Sequence, residues 1–263
     1  MNTHHHPIGF FDSGVGGTSI WKEVVELLPH ENTLYLADSK NAPYGKKSKE
    51  EIIQFSIKNT EFLLNQNAKI IVVACNTATT NAIEILREKY DVAFIGIEPA
   101  IKPAGLVTQT KKIGILATQG TLNSTLFETT SGKIDPEVTI IEQVGEGLVD
   151  LIENGQIDSP EMNALLETYL QPMMHQNVDA LVLGCTHYPY LIPQIRLILG
   201  ESIKIIDSGL AVARQTKHIL QQQGLLQTQT IAKTSHQFYI NKEASVLHRL
   251  LNNSQVSIEE KAF

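Results

Sequence analysis

The feature of this chain that most constrains its fold is an internal repeat. Residues 8–13 read IGFFDS, and residues 113–118, 105 positions later, read IGILAT. Residues 70–77 read IIVVACNT, and residues 180–187, 110 positions later, read ALVLGCTH. In the second pair, an apolar run leads into a cysteine that is followed by small polar residues. Two ordered matches at nearly the same offset predict two similar units related by an approximate two-fold axis.

Short apolar runs alternate with amphipathic stretches along the whole chain. Several runs are apolar throughout, which is typical of parallel strands that are covered on both faces. The alternation predicts an α/β fold with mainly parallel sheets in two similar units and an active site between them. The predicted strands are residues 8–11, 33–37, 70–74, 93–97, 112–116, 138–141, 180–183 and 204–206.

Two helix starts can be recognised from their capping residues. Ser48 and Glu51 form the pattern of a capping box, in which each side chain can satisfy a free backbone N–H group. Ser159 precedes Pro160, a capping hydroxyl followed by a proline suited to the first helical position. Both segments are predicted to begin helices.

The last part of the chain does not continue the repeat. After about Asp207 we expect a helix over residues 208–223 and a strand near residues 238–240. These elements are predicted to return to the first unit and make it discontinuous. The predicted domains are residues 1–97 plus 208–263, and residues 98–207.

Composition excludes several classes of function. The net charge is −7, and the densest basic cluster is Lys46, Lys47 and the nearby Lys49, so no nucleic-acid partner is expected. No apolar run approaches the ~18 residues of a membrane span, and no secretory signal is visible. We therefore expect a cytoplasmic protein without a membrane partner, in which the two cysteines are free thiols. The histidines at positions 4–6 are given no function.

Polar residues follow the predicted strands at the edge where ligands bind in open parallel sheets. Asp12 and Ser13 follow the first strand, and Thr118 and Thr121 follow its repeat. A site between two facing units would collect these side chains together with those after the cysteine strands. That second group is Cys75, Asn76, Thr77, Cys185, Thr186 and His187.

The two cysteines are the strongest candidates for chemistry. A single cysteine at the end of a buried strand is usually a small apolar core residue, but Cys75 and Cys185 occupy equivalent points of the repeat. Both are predicted to precede helices, whose N-terminal dipoles favour a thiolate. His187 can stabilise the Cys185 thiolate or shuttle a proton, although such a histidine can also simply hydrogen-bond a loop. Asp12 is a candidate proton relay or partner of a substrate ammonium group.

Other motifs point to weaker alternatives. Residues 14–17 read GVGG after a strand, but the dinucleotide pattern fails at Ser19 and no Gly-Lys-Ser/Thr follows. The glycines are predicted to let the turn approach a small ligand and to expose backbone N–H groups to a carboxylate. A zinc site formed by Cys75, Cys185 and His187 lacks a paired Cys-x-x-Cys motif, and nothing nominates a Schiff-base lysine for pyridoxal phosphate.

These motifs resemble the signatures of the glutamate racemase family, within the aspartate/glutamate racemase superfamily. The matching segments read DSGVGG at residues 12–17, PYG at 43–45, ACNTA at 74–78 and GCTHYP at 184–189. They stand in the same order and spacing as in the family. The similarity extends from about residue 8 to residue 220.

The resemblance implies racemisation by two bases without a metal or an organic cofactor. Cys75 would take the α-proton of D-glutamate, Cys185 that of L-glutamate, and the opposite thiol would return a proton. Asp12, His187 and Glu153 are implied as further catalytic residues. The implied substrate-binding residues are Asp12, Ser13, Pro43, Tyr44, Gly45, Asn76, Thr77, Thr118, Thr121, Thr186 and His187.

The resemblance also implies a biological role. Members of the family supply D-glutamate for peptidoglycan synthesis, and hence for cell wall biogenesis and cell shape. The expected partner is glutamate itself, and the expected assembly is a homodimer.

Two alternatives stay open at this stage. The first is a racemase of another acidic amino acid, such as aspartate, because one methylene is a fine distinction for a binding site. The second is a two-lobed protein that binds an amino acid without converting it. A binding protein needs the cleft and its polar loops but not two thiols.

Overall fold

The computed structural model describes residues 3–228, 234–252 and 255–263. The strands of these residues are β1 (Ile8–Asp12), β2 (Thr33–Ala37), β3 (Ile70–Val73), β4 (Phe94–Gly96), β5 (Lys112–Ala117), β6 (Thr139–Val144), β7 (Ala180–Gly184), β8 (Lys204–Ile206), β9 (His236–Ile240) and β10 (Val256–Glu260). The α-helices are α1 (Thr18–Leu27), α2 (Lys49–Asn65), α3 (Asn76–Lys89), α4 (Ile101–Val107), α5 (Gln119–Leu122), α6 (Thr125–Ser131), α7 (Leu148–Glu153), α8 (Pro160–His175), α9 (Ile192–Leu199), α10 (Gly209–Gln222) and α11 (Ser245–Leu251). Short 3₁₀ helices lie at Thr3–His5, Tyr44–Lys46 and Tyr188–Leu191.

The strands form two sheets, and neighbouring strands in both sheets are parallel. The repeated strands of the first sheet have the order β2-β1-β3-β4, and those of the second have the order β6-β5-β7-β8. Each of these four strands of the first sheet thus has a counterpart at the same place in the second, as the repeat predicts. The predicted α/β fold with two similar, mainly parallel units is confirmed.

The end of the chain adds two strands to the first sheet. β9 pairs with β2, and β10 pairs with β9 at the edge of the sheet. β9 includes the strand predicted near residues 238–240, whereas β10 and α11 were not predicted. Where the chain crosses between the units, the Ser208 hydroxyl donates to the Glu98 carbonyl oxygen at 2.5 Å. The domain boundaries near these residues stay a prediction.

The predicted helix starts lie where the capping residues indicated. The Ser48 hydroxyl accepts from the Glu51 amide and the Glu51 carboxylate accepts from the Ser48 amide, which forms the capping box of α2. The Ser159 hydroxyl accepts from the Met162 amide at the start of α8. These contacts fix where two of the longest helices begin.

β6 lies further along the chain than the sequence predicts. The apolar run at residues 138–141 is only its first part, and the strand continues through Glu142 and Gln143 to residue 144. β6 is an edge strand of the second sheet and is only partly buried. An edge strand tolerates polar side chains, so the apolar run did not mark its full length.

The centre of each sheet is covered on both faces. β1, β3 and β7 are buried at every position, because helices pack on both sides of them. Residues directly after these strands therefore start from rigid, buried positions. None of the helices in the described residues is long and apolar enough to cross a membrane.

Candidate active site

The carboxyl ends of the strands of both sheets surround one small cavity. Ser13 after β1 and Cys75 after β3 line it from the first unit, and Thr118 after β5 and Cys185 after β7 line it from the second. The other lining residues are Pro43, Tyr44, Gly45, Asn76, Thr77, Val149, Thr186 and His187. The cavity volume is about 10 Å³, which has room for about one water molecule. The structure thus brings both thiols to one enclosed space between the two units.

Cys75 is joined through a hydroxyl group to a buried carboxyl group. Its sulfur accepts a hydrogen bond from the Ala78 amide at 3.4 Å and so caps the N-terminus of α3. The Cys75 thiol donates to the Ser13 hydroxyl at 3.8 Å, and that hydroxyl donates to Asp12 Oδ1 at 3.5 Å. A chain of hydrogen bonds therefore runs from the sulfur through Ser13 to Asp12.

Burial and charge keep Cys75 protonated. Burial raises the pKa of the Cys75 thiol well above its ordinary value, and the charge of Asp12 raises it further, against the Ala78 amide, which lowers it. Burial also raises the pKa of Asp12, while His187 and the Gly17 amide oppose this. The N-terminus of α3 favours the thiolate of Cys75, as predicted, but burial and the charge of Asp12 outweigh it. The resting form of Cys75 is the thiol, which is a proton donor.

Cys185 is joined through an imidazole to a buried carboxyl group. Its sulfur lies 3.7 Å from His187 Nδ1, and His187 Nε2 lies 2.6 Å from Glu153 Oε1. The expected α-helix does not begin directly after Cys185, because the 3₁₀ helix Tyr188–Leu191 precedes α9. The local partner of this sulfur is thus a side chain rather than a helix N-terminus.

His187 is a protonatable group held out of water. Burial by itself lowers the pKa of His187, but hydrogen bonds with Cys185 and Glu153, together with their charges, raise it well above its ordinary value. The side chains of His187 and Glu153 are only 1% and 5% exposed. A protonated imidazole can donate from both ring nitrogens, here towards a sulfur and a carboxylate, whereas the neutral ring with its proton on Nδ1 lets Nε2 accept from the Gly16 amide at 3.2 Å. This geometry can pass a proton to Cys185 or hold a thiolate there.

The glycine-rich turn between β1 and α1 links the two thiol environments. The Gly17 amide donates to Asp12 Oδ2 at 2.8 Å, and the Val15 amide donates to Glu153 Oε1 at 2.6 Å. These amides were expected to meet the carboxylate of a ligand, but in the structure they meet carboxylates of the protein. A Cβ atom at Gly16 would overlap the His187 ring, so glycine permits this close approach.

Two polar side chains in the cavity wall lack partners. Both polar atoms of the Asn76 amide and the Thr186 hydroxyl are buried without a hydrogen bond within the described part of the chain. An unpaired buried polar group is costly and marks a place where a ligand or a water molecule is expected. Both residues were predicted to bind substrate, and their free polar atoms fit that prediction.

Three threonine hydroxyls meet where the two units face each other. Thr77 Oγ1 lies 2.8 Å from Thr118 Oγ1 and 3.2 Å from Thr121 Oγ1. Thr77 follows β3 in the first unit, whereas Thr118 and Thr121 follow β5 in the second. The cluster is therefore formed from both halves, and it can exchange its internal hydrogen bonds for those of a substrate carboxylate.

Tyr44 contributes to the site through its position rather than through a free hydroxyl. The hydroxyl donates to Asp38 Oδ2 at 2.5 Å and receives a hydrogen bond from the Asn59 amide at 3.2 Å. Asp38 also receives a hydrogen bond from Asn241 Nδ2 at 2.5 Å. Sequence reasoning missed Asp38, although it directly follows β2 at the same sheet edge as Asp12. No sequence signal pointed to Asn241, which follows β9 and lies 203 residues after Asp38.

Three predicted residues lie behind the cavity wall instead of in it. Asp12, Glu153 and Thr121 do not line the cavity but contact residues that do. Val149 lines it and was not predicted, because an apolar helix residue carries no chemical signal. In the described ranges of the chain, no group of three or more His, Cys, Asp or Glu residues is arranged to hold a metal ion.

The α/β chain that carries these paired thiols is matched by a family of racemases. The profile of the Asp/Glu/hydantoin racemase family matches residues 9–216. The glutamate racemase of Cupriavidus pinatubonensis is 48% identical over 214 residues, which cover 81% of this chain and 79% of that protein.

Solved structures agree with the sequence relatives. The crystal structure of the glutamate racemase isoform RacE1 from Bacillus anthracis has a TM-score of 0.85 and 33% identity, and covers 97% of each chain. The glutamate racemase of Francisella tularensis in complex with D-glutamate has a TM-score of 0.82 and 30% identity, and covers 98% of each chain. The chain belongs to the Asp/Glu/hydantoin racemase family, and the predicted resemblance to glutamate racemases is confirmed.

Proposed function

We propose that this chain is a glutamate racemase in which Cys75 and Cys185 act on opposite faces of the substrate α-carbon. The observation that carries the proposal is the pair of thiols, which come from equivalent positions of the repeat and line one cavity. The relatives named glutamate racemase and the bound D-glutamate of the Francisella tularensis protein support the choice of substrate.

The proposed reaction removes one proton from the α-carbon and adds another proton to its opposite face. With L-glutamate, the Cys185 thiolate takes the α-proton, and the electron pair spreads into the substrate carboxylate. The Cys75 thiol then gives its proton to the opposite face, which yields D-glutamate and a Cys75 thiolate. The raised pKa of Cys75 suits this donor role. The reverse reaction exchanges the two roles.

Each thiol needs its own route for resetting its proton after a turnover. The Ser13–Asp12 chain serves Cys75, and the His187–Glu153 chain serves Cys185. Asn76, Thr186 and the threonine cluster would hold the carboxylates and the ammonium group. Fixed positioning contributes about 7–11 kcal/mol towards removing a weakly acidic proton, and each preorganised donor adds about 3–4 kcal/mol.

The test is proton NMR of each glutamate enantiomer in D₂O with the wild-type protein, Cys75→Ser and Cys185→Ser. Wild type is expected to remove the α-proton signal and to form the other enantiomer. Both variants are expected to lose racemisation by more than about 10³-fold, because a serine hydroxyl is a far weaker acid than a thiol. Circular dichroism checks that each variant is folded.

Three outcomes would contradict all or part of the proposal. If folded, reduced wild type leaves both glutamate enantiomers unchanged but racemises aspartate, the chain acts on a different acidic amino acid. If it binds glutamate without exchanging the α-proton, it is a binding protein. A serine variant that keeps normal turnover would remove the two-thiol mechanism while leaving the activity.

The proposed biological role is to supply D-glutamate for peptidoglycan synthesis in the cytoplasm. A bacterial strain that requires D-glutamate for growth tests this role. The wild-type gene should restore growth without D-glutamate, whereas the Cys75→Ser gene should not. The homodimer stays a prediction that sedimentation analysis can test.

A further inference from the structure

A second cavity lies directly outside the thiol cavity. Its volume is about 630 Å³, and it shares Pro43, Gly45, Thr118 and Val149 with the inner cavity. The shared residues form a common wall between the two cavities. We call this outer cavity the vestibule.

The wall between the two cavities is closed by close backbone packing between the units. A Cβ atom on Gly45 would lie 2.8 Å from Thr118 Cβ, and a Cβ atom on Gly120 would lie 3.2 Å from Gly45 Cα. Gly45 therefore packs directly against the Thr118–Gly120 segment, and we call this contact the gate. The inner cavity of about 10 Å³ cannot admit an amino acid until the gate opens.

The vestibule is lined by the densest basic cluster of the sequence. Lys46, Lys47 and Lys49 line it from the first unit, while Glu146 and Asp150 line it from the second. Lys46 Nζ pairs with Asp150 Oδ2 at 2.9 Å across the cleft, beside the gate. In the part of the chain that the structure describes, neither Lys47 nor Lys49 forms an ion pair.

Helix stability does not explain the charge of Lys49. It is the first residue of α2, where the helix dipole disfavours a positive side chain. The same turn already has its capping box from Ser48 and Glu51. The charge of Lys49 disfavours the start of its own helix but lies in a cavity wall. Such a charge is suited to binding an anionic ligand.

The substrate class in the proposed function needs such a site. Glutamate carries two carboxylates and one ammonium group, and the protein has a net charge of −7. At long range the protein field therefore repels the substrate, and a local cluster of cations must reverse this. A concave, partly enclosed surface strengthens the effect, because charges are less screened there than in open water.

We propose that the vestibule is an outer binding site in which Lys47 and Lys49 hold the carboxylates of the incoming amino acid before the gate opens. Lys46 then releases Asp150 and pairs with a substrate carboxylate, so that one ion pair replaces another when the gate opens. The site would take small dicarboxylates of either chirality. This inference rests on the proposed function, because it takes glutamate as the ligand.

The experiment measures kcat and KM for L- and D-glutamate over a range of ionic strength. The double variant Lys47→Gln/Lys49→Gln is compared with Lys102→Gln/Lys133→Gln, which removes the same charge from exposed positions outside both cavities. At low salt the vestibule variant should lose about five- to tenfold in kcat/KM through KM, and the control should lose less than twofold. The loss should shrink at high salt, because ions screen the cluster.

Asp150→Asn gives a prediction of opposite sign. It frees Lys46 and removes a negative charge from the vestibule, so kcat/KM at low salt should rise about twofold. If wild type racemises glutamate but the vestibule variant matches its control at every salt concentration, this proposal fails and the proposed function stands. A fall in kcat/KM for Asp150→Asn would also overturn it. If wild type does not act on glutamate, both proposals fail together.

Discussion

Cys75 and Cys185 lie at the same point of the repeat, but the groups behind them differ. Cys75 is joined through a hydroxyl, Ser13, to Asp12, while Cys185 is joined through an imidazole, His187, to Glu153. The backbone scaffold is repeated, whereas the proton-transfer groups are not. A hydroxyl can only pass a proton on, but an imidazole can also store one near neutral pH. The two halves therefore offer different hydrogen-bonding partners to their sulfur atoms.

The surroundings of the two thiols are nevertheless connected by the turn after β1. The turn belongs to the first unit, yet its Val15 amide holds Glu153 of the second. Gly16 lies against the His187 ring. We call the His187–Glu153 chain the Cys185 relay and the Ser13–Asp12 chain the Cys75 relay. The position of the Cys185 relay thus depends on a backbone segment of the other half. Substitutions that disturb one relay at a time can show what each relay contributes to turnover.

Gly16→Ala is expected to have the largest effect among the relay variants. The added methyl group would overlap the His187 ring and displace it from Cys185 and Glu153. Misplacing a general acid–base group costs about 10²- to 10³-fold in rate. The measurement is kcat/KM for L-glutamate together with a thermal unfolding curve. Gly105→Ala is the matched control, because an added Cβ there has its nearest neighbour at 4.0 Å. Unchanged activity in folded Gly16→Ala would contradict the role of His187.

His187→Asn should lower kcat by about 100-fold, because it removes a general acid–base group while keeping a polar side chain. The equilibrium constant of a racemase is one, so kcat/KM must stay equal in the two directions and cannot report which thiol is impaired. Primary kinetic isotope effects can report which thiol is impaired. Loss of His187 should slow proton removal from L-glutamate by Cys185, so the isotope effect with α-deuterated L-glutamate should exceed that with the D enantiomer. Equal isotope effects would contradict an assignment of His187 to one thiol.

The same histidine predicts a pH-dependent stability. The pKa of His187 is raised in the folded protein, so its protonation stabilises the fold fully below the unfolded value of about 6.5. That contribution is lost as the pH rises through the raised pKa. The difference in unfolding free energy between wild type and His187→Asn should therefore be largest in mild acid and should shrink towards alkaline pH. Urea unfolding at a series of pH values measures it, and a difference that grows with pH would contradict the raised pKa.

Ser13→Ala should have a smaller effect, of up to about tenfold on kcat, because the Cys75 thiol loses a neutral hydrogen bond worth roughly 0.5–1.5 kcal/mol and its link to Asp12. Here the isotope effect should increase for the D enantiomer, since Cys75 is the thiol proposed to deprotonate it. The comparison of His187→Asn with Ser13→Ala thus tests whether each relay serves its own thiol. An isotope effect that increases for the same enantiomer in both variants would mean that the relays are not independent.

Much of this site could be predicted because strand ends of parallel sheets converge at one edge. Cys75, Cys185, Ser13 and Thr118 were found by that rule, and the repeat indicated which of them correspond. The contact between Val15 and Glu153 could not be found, since it joins residues 138 positions apart through a backbone amide. The orientation of the Tyr44 hydroxyl depends on Asp38, which is set by tertiary packing. β10 was missed because its apolar and polar residues give only a short, weak alternation at a sheet edge.

The returning end of the chain creates a further difference between the halves. The first sheet gains β9 beside β2, which places Asn241 against Asp38, whereas β6, the counterpart of β2, is an edge strand. Asn241 also accepts a hydrogen bond from the Lys40 amide at 2.8 Å. Through Asp38, Asn241 helps to fix Tyr44 and so the segment that packs at the gate. The tail therefore helps to hold the Tyr44–Gly45 segment of the first half.

Asn241→Leu should give the smallest effect, an increase in KM of about three- to fivefold with kcat nearly unchanged, since about 1 kcal/mol of positioning is lost. Asn241→Asp distinguishes positioning from simple loss of stability. Its carboxylate would repel Asp38 at neutral pH, but in mild acid the two carboxyl groups can share a proton and restore a hydrogen bond. KM of this variant should therefore fall towards the wild-type value as the pH is lowered, while that of Asn241→Leu should show no such recovery. If the two variants follow the same pH profile, the tail supports the fold of the first sheet but does not position the Tyr44–Gly45 segment.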